Sequence, residues 1–127
     1  MRRKLRLRNR EDFSRVYRAG KSFANGQFVV YWSKQPAIEP FRCGISASKK
    51  IGNAVVRNRM RRRVKEIVRH LEPKVSTNVD FVLIVRKPAV NMNYKQLEGS
   101  IQHVLKKAGL LKTHPKTYVK KVTVDKP

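Results

Sequence analysis

The sequence predicts a single α/β (α+β) sandwich, a mainly β sheet covered by helices on one face. Three observations carry this. The chain has 127 residues and is 40% hydrophobic, the size of one domain with apolar residues for one core. Its apolar residues change period along the chain, from helical spacing to strand-like runs and back. Asn and Gly stand where the helical segments would start and stop.

The elements follow in order. Asn9, with Asp12 three residues on, has the spacing of a capped helix start, and Gly20 stands where that helix would stop. Phe13, Val16 and Tyr17 share one face of it. GQFVVYWS (26–33) has the β-branched and aromatic composition of a strand, with Phe28 and Trp32 assigned to the core. Pro36 and Pro40 bracket a connection. FRCGISAS (41–48) alternates. Phe41, Cys43, Ile45 and Ala47 point one way; Arg42, Gly44, Ser46 and Ser48 point the other, making a polar face with a positive edge.

Asn53 caps a long helix to about Leu71, with Val56, Met60, Val64, Ile67 and Leu71 as its apolar stripe. Pro73 closes it. VDFVLIVR (79–86) is apolar without alternation, the mark of a central strand covered on both sides. Asn93 and Gln96 start a further helix, with Leu97, Ile101, Val104, Leu105 and Ala108 as its core face and Gly109 as its stop. Gly99 within it costs about 1 kcal/mol relative to Ala. Residues 1–8 read as a basic arm and 112–127 as a basic tail, whose YVKKVTV stretch fits a strand or an extension equally well. There is no internal repeat, and residues 1–127 read as one domain.

Charge narrows the function. Lys and Arg number 31 against 8 Asp and Glu, a net charge of +23. Self-repulsion at that level favours a polyanionic partner, nucleic acid or an anionic membrane surface. No apolar run approaches the roughly 18 residues of a membrane span, and the opening MRRKLRLRNR lacks the apolar segment of a secretory signal. A transit peptide has too little room before Asn9. The single cysteine, Cys43, excludes an internal disulfide framework and fits a small buried residue in a reducing compartment.

The densest charge lies on the long helix, at Arg57, Arg59, Arg61, Arg62, Arg63 and Lys65. Five like-charge pairs at i,i+3 or i,i+4 cost roughly 0.2–0.5 kcal/mol each, about 1–2.5 kcal/mol in total. Glu66 is the one acid nearby, within reach of Arg62 or Arg63 in the poorer orientation for a helix pair. The bland alternative is a solvated charged face. The lack of offsetting acids favours a surface held ready for phosphates, whose binding neutralises the charge and releases counterions. Arginine also predominates, and its planar fork binds phosphate at two points.

SKKIGNAVVRNRMRRRVKEIVR (48–69), with Arg57-Asn58-Arg59 inside it, closely resembles the signature of the bacterial ribonuclease P protein subunit. NREDFSRVYRAG, QFVVYWS, GISASKK, VLIVRKPA and the last helix extend the resemblance over most of the chain, to about residue 112. The resemblance implies a ribosomal-protein-S5-like fold. That is a central, mainly antiparallel four-stranded sheet with about three helices and a left-handed β-α-β crossover through the arginine helix. It implies tRNA processing: a ribonucleoprotein endonuclease, a hydrolase, in which a catalytic RNA removes the 5′ leader from precursor tRNA. The RNA and its Mg²⁺ do the chemistry there, with no cofactor on the protein and no catalytic side chain. The implied partners are the catalytic RNA and precursor tRNA, in the cytoplasm, with no membrane and no protein partner.

Two surfaces take roles by this resemblance. Lys49, Lys50, Asn53, Arg57, Asn58, Arg59, Arg61, Arg62 and Lys65 match the segment that contacts the RNA subunit. Phe13, Tyr17, Val29, Tyr31 and Ser46 match a cleft for the single-stranded leader. Strand alternation adds Arg42 and Ser48 to that cleft. Sequence-tolerant stacking on aromatics beside cations suits a leader of variable sequence. Core packing is the competing reading for Phe13 and Tyr17. The family also binds divalent ions near the cleft, but this sequence shows no protein ligand set for a metal.

Two other classes compete. A basic ribosomal RNA-binding protein with no enzyme role has the same length and composition; the motif segment separates the two. An independent protein nuclease needs clustered carboxylates or paired histidines. The acids here are scattered apart from Glu11-Asp12, which read as first-turn charges of a helix, and His70, His103 and His114 have no matched partner.

Overall fold

The computed structural model describes residues 5–7 and 9–112. The helices are α1 (Arg10–Arg18), α2 (Ala54–Leu71) and α3 (Tyr94–Lys107); the strands are β1 (Lys21–Ala24), β2 (Phe28–Lys34), β3 (Phe41–Ser46) and β4 (Val79–Val85). All three helices begin as their spacing predicts. The side-chain oxygens of Asn9, Asn53 and Asn93 accept the N–H groups of Asp12, Val56 and Gln96 at 2.8, 3.1 and 2.8 Å. The Gln96 side chain returns a bond to the Asn93 N–H, completing a capping box. Each cap contributes about 1 kcal/mol by satisfying a donor that the first helical turn leaves free.

The sheet has the order β1-β2-β4-β3. β1–β2 and β2–β4 are antiparallel, while β3 and β4 run parallel and are joined through α2. β4 is the central strand that its apolar, non-alternating run predicts. The fourth strand is β1, four residues with one half-buried side chain and too little apolar pattern to announce itself. The YVKKVTV stretch lies outside the described residues.

Strand alternation divides the interior in two. On one face Phe28, Val30, Phe41, Phe81, Leu83 and Val85 pack with Met60, Val64 and Ile67 of α2 and Leu97, Ile101 and Leu105 of α3. On the other, Val82 packs with Val16 of α1 and Leu7, and Phe13, Tyr31 and Ile84 lie against them. The helices therefore cover both faces, not the single face that the sequence led us to expect. α2 and α3 build the main core, and α1 builds a small second one.

Two further expectations change. Residues 5–7 are not a free basic arm. Leu5 is 0% exposed and Leu7 6%, and the Leu7 N–H donates to the Cys43 carbonyl at 3.0 Å. This strap covers the otherwise open edge of β3, and its two leucines enter the two cores separately. Ser48 does not continue the polar face of β3, which ends at Ser46. Its hydroxyl caps the short turn Lys49–Ile51 by accepting the Lys50 N–H. Cys43 is buried, as expected, and burial pushes its thiol pKa well above the ordinary range.

Candidate nucleic-acid interface

The α1 side of the sheet carries an aromatic surface. The register sets Val29, Ile84 and Ser46 in one row and Tyr31, Val82 and Gly44 in the next. α1 lies over these rows. Its Phe13 ring rests against Gly44: a Cβ there would fall 2.5 Å from Phe13 Cζ, so only glycine admits the ring. The Tyr17 ring meets Tyr31 edge-on, centroids 5.1 Å apart, and Phe13 at 6.5 Å. Tyr17 stays 37% exposed, while Phe13, Val29, Tyr31 and Ser46 are half-buried. Burial raises the Tyr17 pKa; a hydrogen bond with Ser46 opposes the rise, and Tyr31 adds to it. Three clustered rings with an open flank and hydroxyls beside them form a platform on which unpaired bases can stack.

Beneath one end of this platform lies an ion network. Arg42 Nε and Nη2 donate to the two carboxylate oxygens of Asp80 at 2.9 and 2.7 Å. Arg42 also faces Asp12 at 3.5 Å; Arg15 bonds Asp12 at 3.0 Å and lies 3.8 Å from Asp80. The Asp80 side chain is 0% exposed. The bond to Asp80 raises the pKa of Arg42. Arg42, assigned from the sequence to the leader face, ties the sheet to α1 through this network. Asp12, read from sequence as a first-turn charge, does that and also joins this network.

α2 carries the cationic surface, and its arginines divide by what they touch. Arg57 Nε and Arg61 Nη2 both donate to the Ala47 carbonyl, at 2.9 and 3.2 Å, and Arg61 Nη1 donates to Asn58 Oδ1 at 3.0 Å. These residues fasten the β3–α2 connection to the helix. Arg59, Arg62, Arg63 and Lys65 have no acidic partner among the described residues. Glu66 turns away from Arg62 and Arg63 and pairs with Arg69 at 2.6 Å and His70 at 3.3 Å. An acid N-terminal to its base is the favoured helix orientation, and this pairing lowers the Glu66 pKa. The stretch without an acidic partner among the described residues therefore runs from Arg59 to Lys65, with exposed Lys49 and Lys50 ahead of the helix.

The Ribonuclease P family model matches residues 1–109. The chain belongs to the ribonuclease P protein family. The ribonuclease P protein component of Listeria welshimeri is 46% identical over 115 residues, 91% of this chain and 97% of that protein. Among solved structures, the Staphylococcus aureus RNase P protein superposes with a TM-score of 0.79 at 41% identity, covering 85% of this chain and 98% of that one. The Thermotoga maritima RNase P protein gives 0.74 at 32% identity, over 80% and 96%. The chain is accordingly a protein subunit of ribonuclease P, and association with that ribonucleoprotein's RNA is its general role.

Within this ribonuclease P protein, the structure brings Phe13, Tyr17, Val29, Tyr31 and Ser46 onto one surface. Lys49, Lys50, Asn53, Arg57, Asn58, Arg59, Arg61, Arg62 and Lys65 lie along α2 and the turn before it. Asn53 is the helix cap, a structural task in its own right. Sequence reasoning missed Arg6, which the strap carries to the β3 edge between the two surfaces. The alternation Leu5-Arg6-Leu7 was the available signal. Among the described residues no helix is long and apolar enough to cross a membrane, and no three His, Cys, Asp or Glu side chains are grouped to hold a metal ion.

Proposed function

We propose that the chain serves a cytoplasmic ribonuclease P by gripping its catalytic RNA through α2 and holding the single-stranded 5′ leader of precursor tRNA on the Phe13–Tyr17–Tyr31 surface. The observation that carries this reading is the ring cluster, open on one flank, on the sheet face away from the main core. Stacking there is sequence-tolerant, which a leader of variable sequence requires. The unpaired cations of α2 supply phosphate contacts, whose strength falls with salt.

Cleavage in this reading belongs to the RNA and its Mg²⁺. The chemistry of the protein's acids supports that division. Asp12 and Asp80 are neutralised by Arg15 and Arg42, and Glu66 by Arg69. These carboxylates serve the fold. The protein's own task is to bind and orient: rings for the leader bases, α2 for the RNA subunit.

The test is to add the chain to the catalytic RNA and measure 5′ cleavage of precursor tRNA at low Mg²⁺. Stimulation is expected, larger for a leader-bearing substrate. No stimulation by correctly folded protein would overturn the reading.

A further inference from the structure

A cavity of about 250 Å³ opens at the β3 edge, between the two surfaces. Arg6 and Leu7 of the strap, Phe13 of α1, Gly44 of β3, and Arg61 and Lys65 of α2 line it. Three cations from two distant parts of the chain meet there, and no acid is among the lining residues. Arg6 Nε is buried and has no hydrogen-bond partner among the described residues. A buried donor left unpaired is costly, and an anion entering the cavity would satisfy it. Lys65 lies close enough to Cys43, on the cavity wall, to oppose the effect of burial on that thiol. Its charge therefore bears on this space.

The chemistry fits phosphate. A guanidinium offers a planar fork to two oxygens, and an ammonium offers a compact charge to a third. The location fits a particular strand. Phe13 and Gly44 belong both to this cavity and to the aromatic platform, so a strand stacked on Phe13 reaches the cavity without leaving the protein surface. We propose that the groove between the strap and α2 seats one backbone phosphate of the leader, where the leader crosses the β3 edge from the aromatic platform toward the arginine helix. The inference rests on the leader reading above and adds Arg6 to it.

The experiment uses the holoenzyme reassembled with its RNA subunit. Binding of a precursor with a single-stranded leader, and of leaderless tRNA, is measured over a series of KCl concentrations. Arg6→Gln should flatten the salt dependence for the precursor by about 0.7 slope units, the loss of one single-strand phosphate contact, and leave leaderless tRNA unaffected. Arg6→Lys keeps the charge and should restore the slope. An unchanged slope in folded Arg6→Gln holoenzyme overturns the proposal. Equal flattening with both RNAs overturns the leader as the source of the phosphate. If Arg6→Gln does not fold, Arg6→Met, which keeps the apolar stem and removes the charge, carries the same comparison. Wild-type holoenzyme that binds both RNAs alike would instead refute the leader reading itself, whatever Arg6 does.

Discussion

Arg42→Met should cost the isolated chain about 3 kcal/mol of stability. Its partner Asp80 has a fully buried side chain and takes both of its strong bonds from Arg42, at 2.9 and 2.7 Å. The next cation, Arg15, is 3.8 Å away and 42% exposed, too far and too wet to take over. Removing one member of a buried pair costs about 3–5 kcal/mol, chiefly through the charge left behind. The Arg42 side chain is 22% exposed, so water reaches part of the vacated space and the cost falls at the low end. Asp80→Asn should be milder, about 1–2 kcal/mol, because the stranded Arg42 keeps Asp12 at 3.5 Å and some solvent. Arg42→Met with Asp80→Leu removes both charges and should recover most of the loss. Urea unfolding followed by circular dichroism measures all three. At a slope of about 1–3 kcal/mol per molar urea, the Arg42→Met midpoint drops by about 1 M or more. A cost below about 1 kcal/mol, or a double variant as unstable as Arg42→Met, would refute the orphaned-charge reasoning.

Tyr17→Ala should weaken binding of leader-bearing precursor by about 1–3 kcal/mol, the worth of one stacked base, and spare leaderless tRNA; equal losses would make the ring purely a core residue. Gly44→Ala forces the Phe13 ring off β3 and should cost about 1–3 kcal/mol in a thermal or urea melt; Phe13→Leu in the same chain should relieve part of it. Arg62→Ala should flatten the salt dependence of RNA-subunit binding by about 0.7–0.9 slope units at little cost in stability, whereas Arg57→Ala should also destabilise the chain through the lost bond to Ala47. The pKa of Tyr17 is raised on folding, so its neutral phenol stabilises the fold in full below pH about 10 and that contribution is lost as pH rises further. Melts of wild type and Tyr17→Phe between pH 9 and 11 should diverge accordingly, and parallel curves would contradict the assignment.

What was legible in the sequence was local. The Asn caps at 9, 53 and 93 act on residues three positions away, so their spacing alone placed the helix starts. β4 announced its central position by an apolar run without alternation, since both of its faces are covered. The ring platform was half legible. Alternation placed Val29 and Tyr31 together, and the family resemblance added Phe13, Tyr17 and Ser46. What stayed hidden depended on long-range geometry. Arg42 and Arg62 are both arginines in a basic chain, but one faces a buried carboxylate 38 residues away and the other faces none among the described residues. Arg57 and Arg61 were counted as free cations because nothing local marks the Ala47 carbonyl as their acceptor. β1 escaped because an exposed edge strand needs little apolar pattern.

The central strand constrains how this protein can vary. Along β4, Asp80, Val82 and Ile84 support the α1 side, while Phe81, Leu83 and Val85 fill the main core. Inserting or deleting one residue there would exchange the two sets, sending an aspartate into the main core and a phenylalanine toward Arg42. Substitutions of similar volume are tolerable at single positions, but a change of length at any point of β4 damages both surfaces at once. The strand shared by both faces of the sheet is thus the least free to drift in length.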